Sequence, residues 1–116
     1  MQFFIDQQSL SGALSKIAFA LENKEDLEAY THVAISVGGG TASLGASNRN
    51  GHAEALLPLL RPVAGSADFG LSGNLLKKIA AKLTPGMLEV VVGDAEVKLF
   101  TERSMFKLPL IVKDML

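Results

Sequence analysis

A unit that occurs twice constrains the fold of this chain more than any other feature. Residues 2–60 read as strand, helix and three strands, and residues 66–110 follow the same order with a similar succession of apolar and turn residues. Repeated units bury each other's apolar faces, so each half limits what the other can become. The two halves, about 1–60 and 66–110, therefore read as one domain spanning 1–116. Each half carries one amphipathic helix, and the exposed charges on both helices are lysines. Lys16 lies on the first; Lys77, Lys78 and Lys82 lie on the second. Basic helices beside acidic strands and loops suit contact with a polyanion, although four exposed lysines also serve solubility.

The elements follow from hydrophobic period. The opening string MQFFID, rich in aromatic and branched residues, predicts a short strand. Leu10, Leu14, Ile17 and Leu21 recur at helical spacing and predict a helix over about 8–21, capped by Ser9 or Asp6. His32 to Val37 alternates as a half-buried strand does, and Gly38-Gly39-Gly40 turns the chain into a return strand, Thr41 to Ser47. Asn50-Gly51 marks a tight hairpin before a strand over His52 to Leu60. In the second half, Ala67 to Leu71 leads to a helix over about 72–83, with Ser72 as N-cap and Leu75, Leu76, Ile79 and Leu83 inward. Thr84-Pro85-Gly86 ends it. Three strands, Met87–Val92, Glu96–Thr101 and Ser104–Leu110, close the chain through short turns at Gly93-Asp94 and Glu102-Arg103 and must be antiparallel neighbours. The fold class is α+β: two βαβββ repeats, with two helices packed together on antiparallel sheets.

Composition narrows the function. The chain has 116 residues, enough for an independent core, and a net charge of −1. It has no cysteine, which removes disulfides, thiolate metal sites and thiol nucleophiles. No apolar run approaches the roughly 18 residues that span a membrane, and the N-terminus lacks a signal-peptide pattern. A cytoplasmic protein is the expectation. His32 and His52 sit on strands without metal-ligand spacing, Gly38-Gly39-Gly40 is not followed by a phosphate-loop lysine, and no serine sits in a nucleophile elbow. The chain reads as a non-enzyme with no metal and no cofactor.

The order of elements, with several local strings, resembles a domain of the bacterial DNA polymerase III β sliding clamp, most of all its N-terminal domain. The strings are the phenylalanine-rich strand and leucine-spaced helix of Met1 to Leu21, the hairpin Val37 to Ser47, the segment Leu71 to Gly86, and Arg103-Ser104-Met105-Phe106-Lys107-Leu108. The resemblance implies a processivity factor that encircles duplex DNA without reading its bases. It implies a homo-oligomer, since clamp subunits carry three such domains and two subunits close a ring of six; about six copies of this chain would be needed. Clients would be a DNA polymerase, a ligase or other replication and repair enzymes.

It also implies roles for residues. Lys16, Lys77, Lys78 and Lys82 would line the ring, Lys24 matches a basic DNA-contacting position in the family's first loop, and Arg49 would reach DNA from a hairpin turn. The family joins domains through the last strand of each half. Ala55, Leu56 and Leu57 would therefore meet Met105, Phe106 and Lys107 of a neighbour. Pro58 and Pro109 either mark these strands as edges or block pairing there. Phe19, opposite the leucine stripe, would be covered by a neighbouring subunit or the adjacent helix. The alternative is a non-ring module of the same fold that docks a replication or repair partner.

Overall fold

The computed structural model describes residues 1–18, 32–48 and 51–111. In chain order the elements are β1 (Gln2–Asp6), α1 (Gln7–Ile17), β2 (His32–Gly38), β3 (Thr41–Asn48), β4 (Gly51–Pro58), β5 (Ser66–Ser72), α2 (Gly73–Ala80), β6 (Met87–Val92), β7 (Glu96–Phe100) and β8 (Met105–Pro109). Each half thus runs strand, helix, strand, strand, strand. Every strand pairing among the described residues is antiparallel.

The halves do not each build their own sheet. One sheet has the order β1-β6-β7-β8 and the other β4-β3-β2-β5. Each half therefore donates its first strand to the hairpins of the other half. The exchange is symmetrical in detail. Asp6 caps α1 by accepting from the Ser9 N–H, and Ser72 caps α2 by accepting from the Leu75 N–H. Two residues before each cap, a carbonyl receives the end of its own half: Leu60 N–H donates to Phe4 O at 2.9 Å, and Ile111 N–H to Gly70 O at 2.9 Å.

Period-2 burial makes the core. Ile35 and Val37 on β2, Ala42, Leu44 and Ala46 on β3, Leu88 and Val90 on β6, and Val97 and Leu99 on β7 all point inward. Leu10, Leu14 and Ile17 of α1 and Leu76 of α2 pack into the same cluster. Gly39 and Gly40 form the turn after Gly38, the last residue of β2, with Gly39 at φ 59°, where a side chain would be strained.

Leu21 and Phe19 lie outside the described residues. Two details of α2 differ from expectation. With Ser72 as its cap, as expected, it stops at Ala80 rather than near residue 83, and Lys82 follows the helix in a tightened turn, its N–H reaching Ile79 O at 2.9 Å. Leu75, expected inward, is 39% exposed because α2 turns that position away from the sheets.

Candidate nucleic-acid interface

The packing of the helices decides where their lysines go. On α1, Gln7, Leu10, Ala13, Leu14 and Ile17 are buried, which leaves Gly12, Ser15 and Lys16 exposed. On α2, burial of Gly73 and Leu76 leaves Lys78 outward, with Ala81 and Lys82 exposed beyond the helix end. Lys16 and Lys82 each lie ten residues after the cap of their half. The repeat thus presents a lysine at equivalent places in both halves. Lys77 is half-buried and lines the groove between the helices with Ser11, Leu14, Ser15 and Ala80. Ser11 Oγ donates to Ala80 O across that groove at 3.4 Å.

Neither helix contains an acid. The charged side chains of the described helical residues are therefore all lysines, a sign of charge that suits contact with a phosphate backbone. Lys16, Lys77 and Lys78 also sit in last turns, where a cation complements the helix dipole by about 0.3–1 kcal/mol. Lys24 and Arg49 lie outside the described residues.

The local sequence around Arg103 gives no sign of a role in anion contact. The β7–β8 turn brings it to the α2–β6 connection, where it lines a cleft of about 390 Å³ with Lys82, Thr84, Thr101, Glu102 and Ser104. Two cations and the hydroxyls of Thr84 and Ser104 can meet a phosphate there, with Glu102 opposing it, while Thr101 Oγ1 is taken up within the turn by its bond to Ser104 O at 3.4 Å. Arg103 and Lys82 are far apart in sequence, so no local pattern announces the pairing.

β4 and β8 are edge strands, each standing at the end of its sheet. Their side chains divide the residues expected at the subunit interface. Ala55 and Leu57 are 5% and 2% exposed, so their side chains belong to the core of this chain. Phe106 is half-buried against the same core. Leu56, at 71% exposure, with Met105 and Lys107, faces outward. Strict alternation along a half-buried strand dictates this division.

His52 is not an isolated strand histidine. Its Nδ1 lies 2.7 Å from Ser47 Oγ and its Nε2 3.1 Å from Glu54 Oε1. The His52 and Glu54 side chains are 54% and 69% exposed, so bulk water competes for each of these bonds. Among the described residues, no group of three or more His, Cys, Asp or Glu could hold a metal ion, and no helix is long and apolar enough to cross a membrane.

No family model and no curated protein matches the sequence. Solved structures do match the fold. A Helicobacter pylori β clamp bound to a DNA ligase peptide superposes with a TM-score of 0.88 at 18% identity, over 98% of this chain and 32% of that one. The Caulobacter crescentus pol III β gives 0.87 at 18%, over 98% and 30%. The Pseudomonas aeruginosa DNA polymerase III subunit β gives 0.87 at 19%, over 98% and 31%. The chain has the fold of a sliding-clamp domain and spans about a third of the length of the clamp chains it matches.

Proposed function

We propose that this chain is a subunit of a DNA-encircling clamp, acting in the cytoplasm as a processivity factor. Copies close into a ring of about six, with the helix layer facing the lumen. The observation that carries this reading is the pair Lys16 and Lys82, set at equivalent places in the two halves on an acid-free helical surface. Duplex DNA carries one negative charge per about 1.7 Å of axis, and a wall of lysines holds it without reading sequence. Lys78, Lys77 and the Lys82–Arg103 cleft extend the same surface. Joining runs through the edges β4 and β8, and heterologous contacts of that kind form a ring when the rotation between neighbours closes. A polymerase or ligase held on the ring gains effective concentration at its DNA. The role is binding rather than catalysis.

The test combines mass and topology. Light scattering should give a discrete closed oligomer that stays on nicked circular DNA and slides off after the circle is cut. Lys16→Glu, Lys78→Glu and Lys82→Glu together should leave the oligomer intact and weaken DNA retention at least tenfold. The dependence of binding on log salt should become shallower by about 0.9 for each phosphate that no longer has a lysine beside it. Unchanged retention would overturn the lumen assignment. A monomer at every concentration would favour the docking module instead.

A further inference from the structure

The edges β4 and β8 are related by the repeat but differ in chemistry, and their backbones specify how they can meet. In an antiparallel ladder a residue's N–H and C=O point to the same neighbour, and the direction alternates along the strand. Leu59 N–H donates to Gly40 O at 2.9 Å, so Leu57 and Ala55 also direct their backbones at β3. The backbones of His52, Glu54, Leu56 and Pro58 point to the open edge. On β8, Leu110 N–H donates to Ala95 O at 3.0 Å and Ser104 O accepts from Thr101 N–H at 2.9 Å. Phe106 and Leu108 therefore serve β7, leaving Met105, Lys107 and Pro109 directed outward.

Both prolines thus occupy positions whose N–H would point away from their own sheet. Neither costs the chain a ladder bond, and each removes a donor from an edge. The N–H donors left facing outward are those of His52, Glu54 and Leu56 on β4 and of Met105 and Lys107 on β8.

Resting on the ring reading above, we propose that copies of this chain join β4 to β8 in one antiparallel register. Glu54 lies opposite Lys107 of the next copy, and Leu56 opposite Met105. In this register charge meets opposite charge, apolar meets apolar, and Pro58 and Pro109 fall at the two ends of the ladder. Ala55 comes opposite Phe106, a small residue beside a large half-buried one. Sliding by two residues one way sets Leu56 against Lys107 and brings both prolines opposite the strand residues Glu54 and Met105. Sliding the other way sets Glu54 against Met105 and His52 against Lys107.

A second observation points to the same pair. Within the chain Lys107 sits directly opposite Lys98 on β7, a like-charge cross-strand pair that is unfavourable alone. Glu54 of a neighbour places a carboxylate on the other side of Lys107. Symmetrical joints do worse: β8 on β8 sets Lys107 against itself or Met105, and β4 on β4 sets Glu54 against itself or Leu56. The register thus selects a second copy of this chain, head to tail, as the partner.

The chain has no cysteine, so introduced thiols report unambiguously. A hydrogen-bonded antiparallel pair has Cα atoms about 5.5 Å apart, within disulfide reach. Full-length Leu56→Cys chains would be mixed with Met105→Cys chains under mild oxidant. Parallel mixtures would pair Leu56→Cys with Lys107→Cys, and Glu54→Cys with Met105→Cys. The first mixture should cross-link at least tenfold faster than the others. Dominance of another mixture in an assembled oligomer overturns the register and leaves the ring reading intact. A monomeric mass with no cross-link in any mixture overturns both. Independently, Glu54→Lys or Lys107→Glu alone should weaken assembly at least tenfold, and the two together should restore it to within a few-fold. Failure of the double exchange to restore assembly in variants that still fold would also overturn the pairing.

Discussion

Gln7 opens α1, a position where polar side chains ordinarily face water, yet it is 3% exposed. Its Nε2 donates to Met87 O at 3.1 Å, its Oε1 accepts from Thr84 N–H at 2.9 Å, and its backbone N–H donates to Gly86 O at 2.9 Å. One residue of the first half therefore fixes the turn that ends the second helix. Gly86 takes φ 143°, and a Cβ there would sit 3.3 Å from Gln7 Nε2. Gln7→Leu keeps the volume but removes the partner of the Thr84 N–H and of the Met87 carbonyl, and should cost about 2 kcal/mol in urea unfolding. Gly86→Ala should cost about 1–3 kcal/mol through its backbone strain alone. A loss below about 0.5 kcal/mol for Gln7→Leu would show that water replaces both bonds. The equivalent place in the second half is Gly73, buried and without a side chain to do this. The caps Asp6 and Ser72 were readable from local pattern, whereas Gln7 was not, because its partners lie far along the chain.

Among the elements, α2 separates what period conveys from what it does not. The spacing of Leu75, Leu76 and Ile79 announces a helix but fits two rotations of it. Packing selects the one that buries Leu76 to 2% and leaves Leu75 at 39%. Leu76→Ala should accordingly cost about 2–5 kcal/mol and Leu75→Ala less than about 1 kcal/mol, by thermal or urea unfolding. Equal losses would mean that both leucines are core. The strands were legible for the same reason that α2 was partly ambiguous. Alternation in β2, β3, β6 and β7 gives face directly, and turn residues give the hairpins. Alternation also separates Ala55 and Leu57, whose side chains are core, from Leu56, whose side chain is exposed. The lysines were legible as helix-surface residues. Their relation through the caps, and the approach of Arg103 to Lys82, required the tertiary pairing of two turns.

At the scale of the whole molecule, the exchange of first strands makes the halves interdependent. The repeat in sequence implies that the halves bury each other's apolar faces, but nothing in the apolar pattern says which hairpin a first strand will join. Among the described strands, β1 pairs only with β6 inside its sheet, and β5 only with β2. Cutting the chain in the linker after β4 therefore removes an edge strand from both sheets while breaking a single peptide bond. A fragment of residues 1–60 would keep β2, β3 and β4 as a three-stranded sheet with β2 newly exposed, and would leave β1 without a ladder. A fragment of 61–116 would suffer the mirror loss at β6. A sheet edge that exposes its pairing groups and half of a shared core cannot offset the chain entropy of folding. Each fragment alone should show little cooperative unfolding by circular dichroism. Mixed at equal concentration, the two should regain the strand and helix signal and a cooperative urea transition whose midpoint rises with concentration, because pairing has become bimolecular. A cooperative transition of full amplitude in either fragment alone would mean that the halves are autonomous. The exchange would then be a consequence of docking rather than a condition of folding.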